Sequence, residues 1–234
     1  MEAHLLSLAA TFSEKSRSFV MVFEARLASQ LRIDVYGMAI WRIMMRSEEV
    51  ARELAGPLYG KEPWPIRFHE HTFSAKRFNT LTCSFLYNNY QFGTQKKDWT
   101  GQILERPSGP PPEDRSVLWN SGHIIVAKGG RTFPGPVELD WTSLDNTRLQ
   151  ASVDLDALFK DRLVLHNVSR EGVKETWLKT LSIEPVVPTV LVELNDRTVS
   201  VYMRAIIATN EERAPGDPDT RLRFEPVLAW THTY

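Results

Sequence analysis

The stretch Arg67-Phe68-His69-Glu70-His71-Thr72-Phe73 carries two histidines two residues apart in an alternating aromatic segment. On a β-strand, residues i and i+2 project from one face, so both imidazoles can converge on one transition-metal ion, with His123, His166 or His232 as a third ligand. The competing reading is two histidines satisfied by cross-strand neighbours, which needs no third ligand. A second constellation runs from Val137 to Asp145, where Glu138 and Asp140 share one strand face. Paired carboxylates are what glycoside hydrolysis uses, one as acid and the other as nucleophile or base; the alternative is the acidic outer face of a strand. Third, Gly129-Gly130 between Lys128 and Arg131 offers a nest of backbone N–H groups for an anion. It lacks the Gly-x-x-x-x-Gly-Lys spacing of a phosphate loop and reads better as a hairpin connection.

The fourth constellation lies between Lys76 and Trp99. Phe78, Phe85, Tyr87, Tyr90 and Phe92 are interleaved there with Lys76, Arg77, Lys96 and Lys97. Aromatic platforms flanked by cations stack single-stranded bases. Strands also favour aromatics for packing alone, and alternation sends half of these rings inward. The His-x-His pair resembles the metal motif of the cupins, in which such a pair sits on a barrel strand; here Thr72, Phe73, Ser74, Ala75 and Lys76 follow, with no glutamate among them. "VELDWTSLD" resembles the Glu-x-Asp-x-x-Glu strand of the laminarinase-like glycoside hydrolases, of β-jelly-roll fold, but Thr142 and Ser143 stand where those enzymes carry their second glutamate. Neither resemblance identifies a family. Nucleophilic hydrolysis is not expected either: no Gly-x-Ser-x-Gly elbow occurs, and Cys83 lies in an apolar strand without an activating neighbour.

The elements that would position these residues change character along the chain. Up to about Gly60 the apolar residues recur at helical spacing, as in Phe19, Val22, Phe23, Leu27 and Leu31, then Met38, Trp41 and Met45. "MAIWRIMM" from Met38 to Met45 is apolar almost all round, so a helix there must be buried against this chain or a partner. Ser47 followed by Glu48 and Glu49 reads as a helix start, and Gly56-Pro57 as its stop. After Pro63-Trp64-Pro65 the period becomes that of strands. Strands are expected at Ile66 to Phe73, Asn79 to Phe92, Val117 to Ala127, Val137 to Trp141, Leu163 to Val168, Thr189 to Leu194, Thr198 to Ala208 and Arg221 to Thr233. Asn195-Asp196 suits a tight hairpin turn. Short helices are expected at Asp154 to Lys160 and at Val173 to Leu181, and proline-rich loops at Arg106 to Arg115 and Asn210 to Thr220. Pro226 marks an edge strand or bulge.

Composition sets the outer bounds. The 234 residues, 42% hydrophobic and 24% charged, are enough for a sizeable core, and a net charge of −1 supplies no general field for nucleic acid or anionic lipid. One cysteine excludes an intrachain disulfide or a multi-thiolate site. Leu5 to Phe12 is too short and broken for a membrane span, and Glu2 and His4 stand where a signal peptide is basic, so a cytoplasmic location is expected.

The expected fold is therefore α+β: a helical segment over residues 1–60, then a mostly antiparallel β-sandwich or β-barrel over 61–234. The expected role is a non-catalytic protein–protein interaction or assembly subunit, for instance of a bacterial or phage-derived complex. Its surface would include Met38, Trp41 and Met45, and its partner would be another protein or itself. The alternatives are a metal-dependent enzyme or binding protein of β-barrel type using His69 and His71, and a single-stranded nucleic-acid binder using Lys76, Arg77, Tyr87, Tyr90, Lys96 and Lys97. No cofactor is expected beyond that possible transition metal, and no membrane partner.

Overall fold

The computed structural model describes residues 47–92, 99–100, 107–115, 118, 123–125, 132–214 and 216–234, with the backbone alone at 123–125 and 218–219. Ala51–Tyr234 forms one compact unit, separate from Met1–Val50. Met38, Trp41, Met45, Lys96, Lys97 and the Gly129-Gly130 nest lie outside the described residues.

The described chain is β-rich α+β. Residues 47–55 are helical, and Gly56, at φ +49°, turns the chain into a short 3-10 turn, Gly56–Leu58, with a proline in its first positions. Eleven strands follow: β1 (His71–Phe78), β2 (Thr80–Tyr87), β3 (Tyr90–Phe92), β4 (His123–Ile125), β5 (Val137–Ser143), β6 (Arg148–Val153), β7 (Thr189–Asn195), β8 (Thr198–Arg204), β9 (Ile207–Ala208), β10 (Leu222–Arg223) and β11 (Val227–Thr233). Two short helices, α1 (Leu155–Leu158) and α2 (Glu175–Thr180), stand between β6 and β7. A five-stranded sheet has the order β11-β8-β7-β1-β4, a four-stranded sheet the order β3-β2-β5-β6, and β10 pairs with β9. All pairings are antiparallel except β1 with β7.

Alternation explains most of this. In β5, Val137, Leu139, Trp141 and Ser143 are buried while Glu138, Asp140 and Thr142 face out. Asp154 caps α1 by accepting hydrogen bonds from the N–H groups of Asp156 and Ala157, as the short helix expected there requires. The β7–β8 hairpin forms with Asp196 at φ 52°, although Asn195 still belongs to the strand. The single strand expected from Asn79 to Phe92 is instead a hairpin. Asn88 and Asn89 both take positive φ, 51° and 61°, the signature of a two-residue turn that matches strand twist. Leu163 to Val168, expected as a strand, makes one isolated bridge between Leu163 and Arg67. β6 was not expected; its polar residues face out, Val153 is buried in the core, and Leu149 and Ala151 pack against it.

Side chains from both sheets enter one hydrophobic cluster, with Phe73, Val190, Val192, Val201 and Met203 from the larger sheet and Phe85, Tyr87, Leu139 and Trp141 from the smaller. Trp141 is fully buried, its indole N–H donates to the Asp196 carbonyl at 2.8 Å, and its ring meets Tyr234 edge-on at 5.4 Å. One side chain of β5 thus holds the β7–β8 turn and the end of β11.

Candidate functional site

The two histidines of the opening motif part company. The strand expected from Ile66 begins only at His71, and His69 lies before it in a bend. His69 is half-buried against Gly56, where a Cβ would come within 3.1 Å of its Nε2, so the glycine makes room for the ring. Burial lowers the His69 pKa, with the Glu70 charge opposing. Its Nδ1 is buried without a hydrogen-bond partner.

His71 enters the core from β1, and its Nε2 lies 2.9 Å from the Tyr87 hydroxyl of β2. Phe133 packs on the imidazole at 4.7 Å and Phe73 on the Tyr87 ring at 4.4 Å. Arg162 lies over the Phe133 ring, 5.0 Å from its centroid, and is ion-paired with Asp156 at the start of α1. Burial, helped by the Arg162 charge, lowers the His71 pKa to about 4. Burial also pushes the Tyr87 hydroxyl up. Both groups are therefore neutral at pH 7, and the shared hydrogen bond occupies only one ring nitrogen. His71 Nδ1 is left buried without a partner whichever tautomer is present. Both side chains are sealed in the core.

Two other described histidines, His166 and His232, lie apart from this pair. His166 accepts from the Val168 N–H at 3.2 Å and meets Trp64 at 5.7 Å, and burial lowers its pKa. His232 is exposed on β11 between Trp230 and Tyr234. Among the described residues no group of three or more His, Cys, Asp or Glu side chains is arranged to hold a metal ion. Cys83 is buried in β2.

Glu138 and Asp140 do share the outer face of the four-stranded sheet. Glu138 accepts from the Ser152 hydroxyl at 2.8 Å; Asp140 accepts from Arg148 Nη2 at 2.6 Å and Gln150 Nε2 at 3.0 Å. The hydrogen bond from Arg148 is the main cause of a lowered Asp140 pKa. With Ser84 and Leu86 these side chains line an open depression of about 500 Å³. An acid for glycoside hydrolysis needs a raised pKa, whereas Asp140 is held ionised by its cationic neighbour.

Of the proposed base-binding residues, Tyr87 is in the core rather than on a surface, and Tyr90 is 64% exposed. Lys76 and Arg77 are successive residues of β1 and so project from opposite faces of the sheet.

The feature that the motif search missed lies at one end of the five-stranded sheet. β8 pairs with β11 through Tyr202 with Leu228 and Met203 with Val227, and β9 pairs with β10 through Ile207 with Arg223 and Ala208 with Leu222. These two pairings follow one and the same register, although β9 and β10 form a two-stranded sheet of their own, so the β9–β10 pair extends the line of the β8–β11 pair as a broken ladder. It is interrupted at residues 205–206 and 224–226, which belong to no strand. The register sets Phe224 opposite Ile206. Four large apolar side chains stand exposed along this ladder: Ile206 (57%), Leu222 (40%), Phe224 (43%) and Leu228 (50%). Arg204 braces the patch, its guanidinium 5.2 Å from the Phe224 centroid and its Nε donating to the Phe224 carbonyl at 3.1 Å. The sequence signal was present in the apolar residues flanking Ala205 and Pro226, but only the pairing tells which of them share a face.

No protein-family model, curated protein or solved structure matches this chain.

Proposed function

We propose that this chain is a non-catalytic protein–protein interaction or assembly subunit. The observation that carries the reading is the apolar patch of Ile206, Leu222, Phe224 and Leu228, held in place by the β8–β11 ladder. Four exposed large apolar side chains on one rigid ladder lose contact with water only when another surface covers them, at roughly 25 cal/mol for each Å² removed. The ionisable residues that drew attention as chemistry are already engaged: Asp140 with Arg148, Glu138 with Ser152, His71 with Tyr87. Ring contacts between the sheets, Phe73 with Tyr87 and Trp141 with Tyr234, support the two sheets as layers of a β-sandwich beneath that patch. A cytoplasmic location belongs to the same proposal; among the described residues no helix is long and apolar enough to cross a membrane.

The test is the mass of the full chain in solution by light scattering, together with elemental analysis for transition metals. The reading expects a defined assembly that the Ile206→Asp/Phe224→Asp double variant dissolves without lowering the melting temperature. A stoichiometric metal lost on changing His69 and His71 to Ala would overturn it in favour of metal chemistry.

A further inference from the structure

We propose that β11 accepts a second copy of this chain edge to edge, extending the five-stranded sheet across a two-fold axis. This rests on the assembly reading and names its partner.

β11 ends the sheet, and among the described strands it pairs only with β8. The Tyr234 N–H donates to the Arg197 carbonyl at 3.0 Å. In an antiparallel pair the bonding direction alternates, so the backbone of His232 also faces β8, while the N–H and C=O groups of Thr231 and Thr233 point away from it. Those outward groups are a template for another strand. Folded chains usually blunt such an edge with charges, proline or a bulge. Pro226 and the bulge between Leu228 and Trp230 blunt the first half of β11. Nothing of the kind follows, and from Val227 to Tyr234 there is no Asp, Glu, Lys or Arg in a chain in which 24% of residues are charged.

The same neutrality selects the partner. Across a two-fold axis the strand meets itself, so like charges near the axis would be brought together; a strand without Asp, Glu, Lys or Arg meets no such repulsion from those side chains. The outer-face hydroxyls suit like pairing as well. Thr231 already hydrogen-bonds Ser200 at 3.0 Å, and Thr233 bonds Thr198 at 2.8 Å, across the β8–β11 pair. Leu228 lies on that outer face too, so pairing would bring the apolar patches of the two copies onto one continuous sheet surface.

Light scattering on the full-length protein over a range of concentrations tests this with three variants. The wild type is expected at about twice the 26.8 kDa chain mass. Thr231→Lys and Thr231→Glu are each expected at the mass of a single chain, still folded and with the melting temperature lowered by no more than about 4 °C for the lost Thr231–Ser200 hydrogen bond, and mixing the two should restore the double mass. Thr233→Pro removes an outward N–H and leaves the backbone bonds to β8 in place, at the cost of the Thr233–Thr198 side-chain hydrogen bond, and it should also give single chains. A monomeric wild type would overturn the self-pairing. So would an assembly that survives all three variants; if Ile206→Asp/Phe224→Asp then dissolves it, the assembly reading stands and only the identity of the contact fails.

Discussion

On the outer face of the four-stranded sheet, Glu138, Asp140, Gln150 and Ser152 hydrogen-bond one another or their neighbours, whereas at the β8–β11 end of the five-stranded sheet Ile206, Leu222, Phe224 and Leu228 stand open. Both surfaces obey the same alternation, in which every second residue turns away from a shared core. The difference lies in what was placed at those outward positions. Polar side chains that satisfy one another leave solvent as the best neighbour, while apolar ones gain from any surface that displaces water. The polar positions of one outer face are satisfied within the chain, and on the proposed reading the apolar positions of the other are covered in an assembly.

That contrast presumes that the two sheets stand on one core, and the most damaging way to break it is at Trp141. Trp141→Ala removes the largest fully buried side chain and its bond to Asp196, and should cost about 3–5 kcal/mol in urea unfolding. Trp141→Phe keeps much of the volume and isolates the lost hydrogen bond, at about 1 kcal/mol. If Trp141→Ala left the chain as stable as before, the two sheets would not be holding each other.

The next effect is an acid one, at the second link between the sheets. His71 has an ordinary value of 6.5 unfolded and about 4 folded, so between those values the unfolded chain binds the extra proton. Stability is complete above about pH 6.5, falls as pH drops towards 4, and levels below that, a loss of about 3 kcal/mol in all. His71→Phe alone strands the Tyr87 hydroxyl in the core and should destabilise the protein at every pH. The His71→Phe/Tyr87→Phe double variant removes both polar groups, together with the unpartnered Nδ1, and should be close to neutral at pH 7. Its stability should fall less steeply between pH 6.5 and 4, the remaining slope coming from His69 and His166, whose pKa burial also lowers. A wild-type stability that is flat in that window would refute the sealed, neutral imidazole.

These two links were only half legible in the sequence. Alternation in "VELDWTS" placed Trp141 inward and Glu138 and Asp140 outward, and Asn195-Asp196 announced the hairpin. The His-x-His spacing was misleading because a strand rule was extended one step too far: β1 starts at His71, so His69 answers to a bend beside Gly56 instead. Tyr87 could not be recognised as the partner of His71, because the pair joins strands of different sheets and nothing local encodes that meeting. Likewise β1 lies parallel to β7, a long-range pairing that no hairpin signal marks. The apolar patch was hidden for the opposite reason. Ile206, Phe224 and Leu228 look like ordinary strand residues until the shared register of β8–β9 and β10–β11 sets them on one face.

Surface substitutions sharpen the contrast with smaller effects. Phe224→Asp and, on the other sheet, Leu86→Asp both replace an exposed apolar side chain, so each should change the stability of the isolated chain by no more than about 0.5 kcal/mol. Only the first should lower the mass in solution. Equal effects on mass would mean that the two outer faces do the same work.

The smallest effect expected is that of Asp140→Asn. The carboxylate is engaged by Arg148 and Gln150, yet both it and Arg148 are open to solvent, where water and salt screen the attraction and the long side chain loses freedom in holding one geometry. Its lowered pKa means that what stability the pair provides is present above the usual aspartate value of 3.8 and is lost as pH falls through the folded value. Asp140→Asn should therefore lower the urea midpoint slightly at pH 7 and lose that penalty in strong acid, where the wild-type carboxylate is itself protonated. It should leave the solution mass untouched. A change in mass with Asp140→Asn, and none with Phe224→Asp, would exchange the roles of the two faces, because the polar network would then be the surface that an assembly covers.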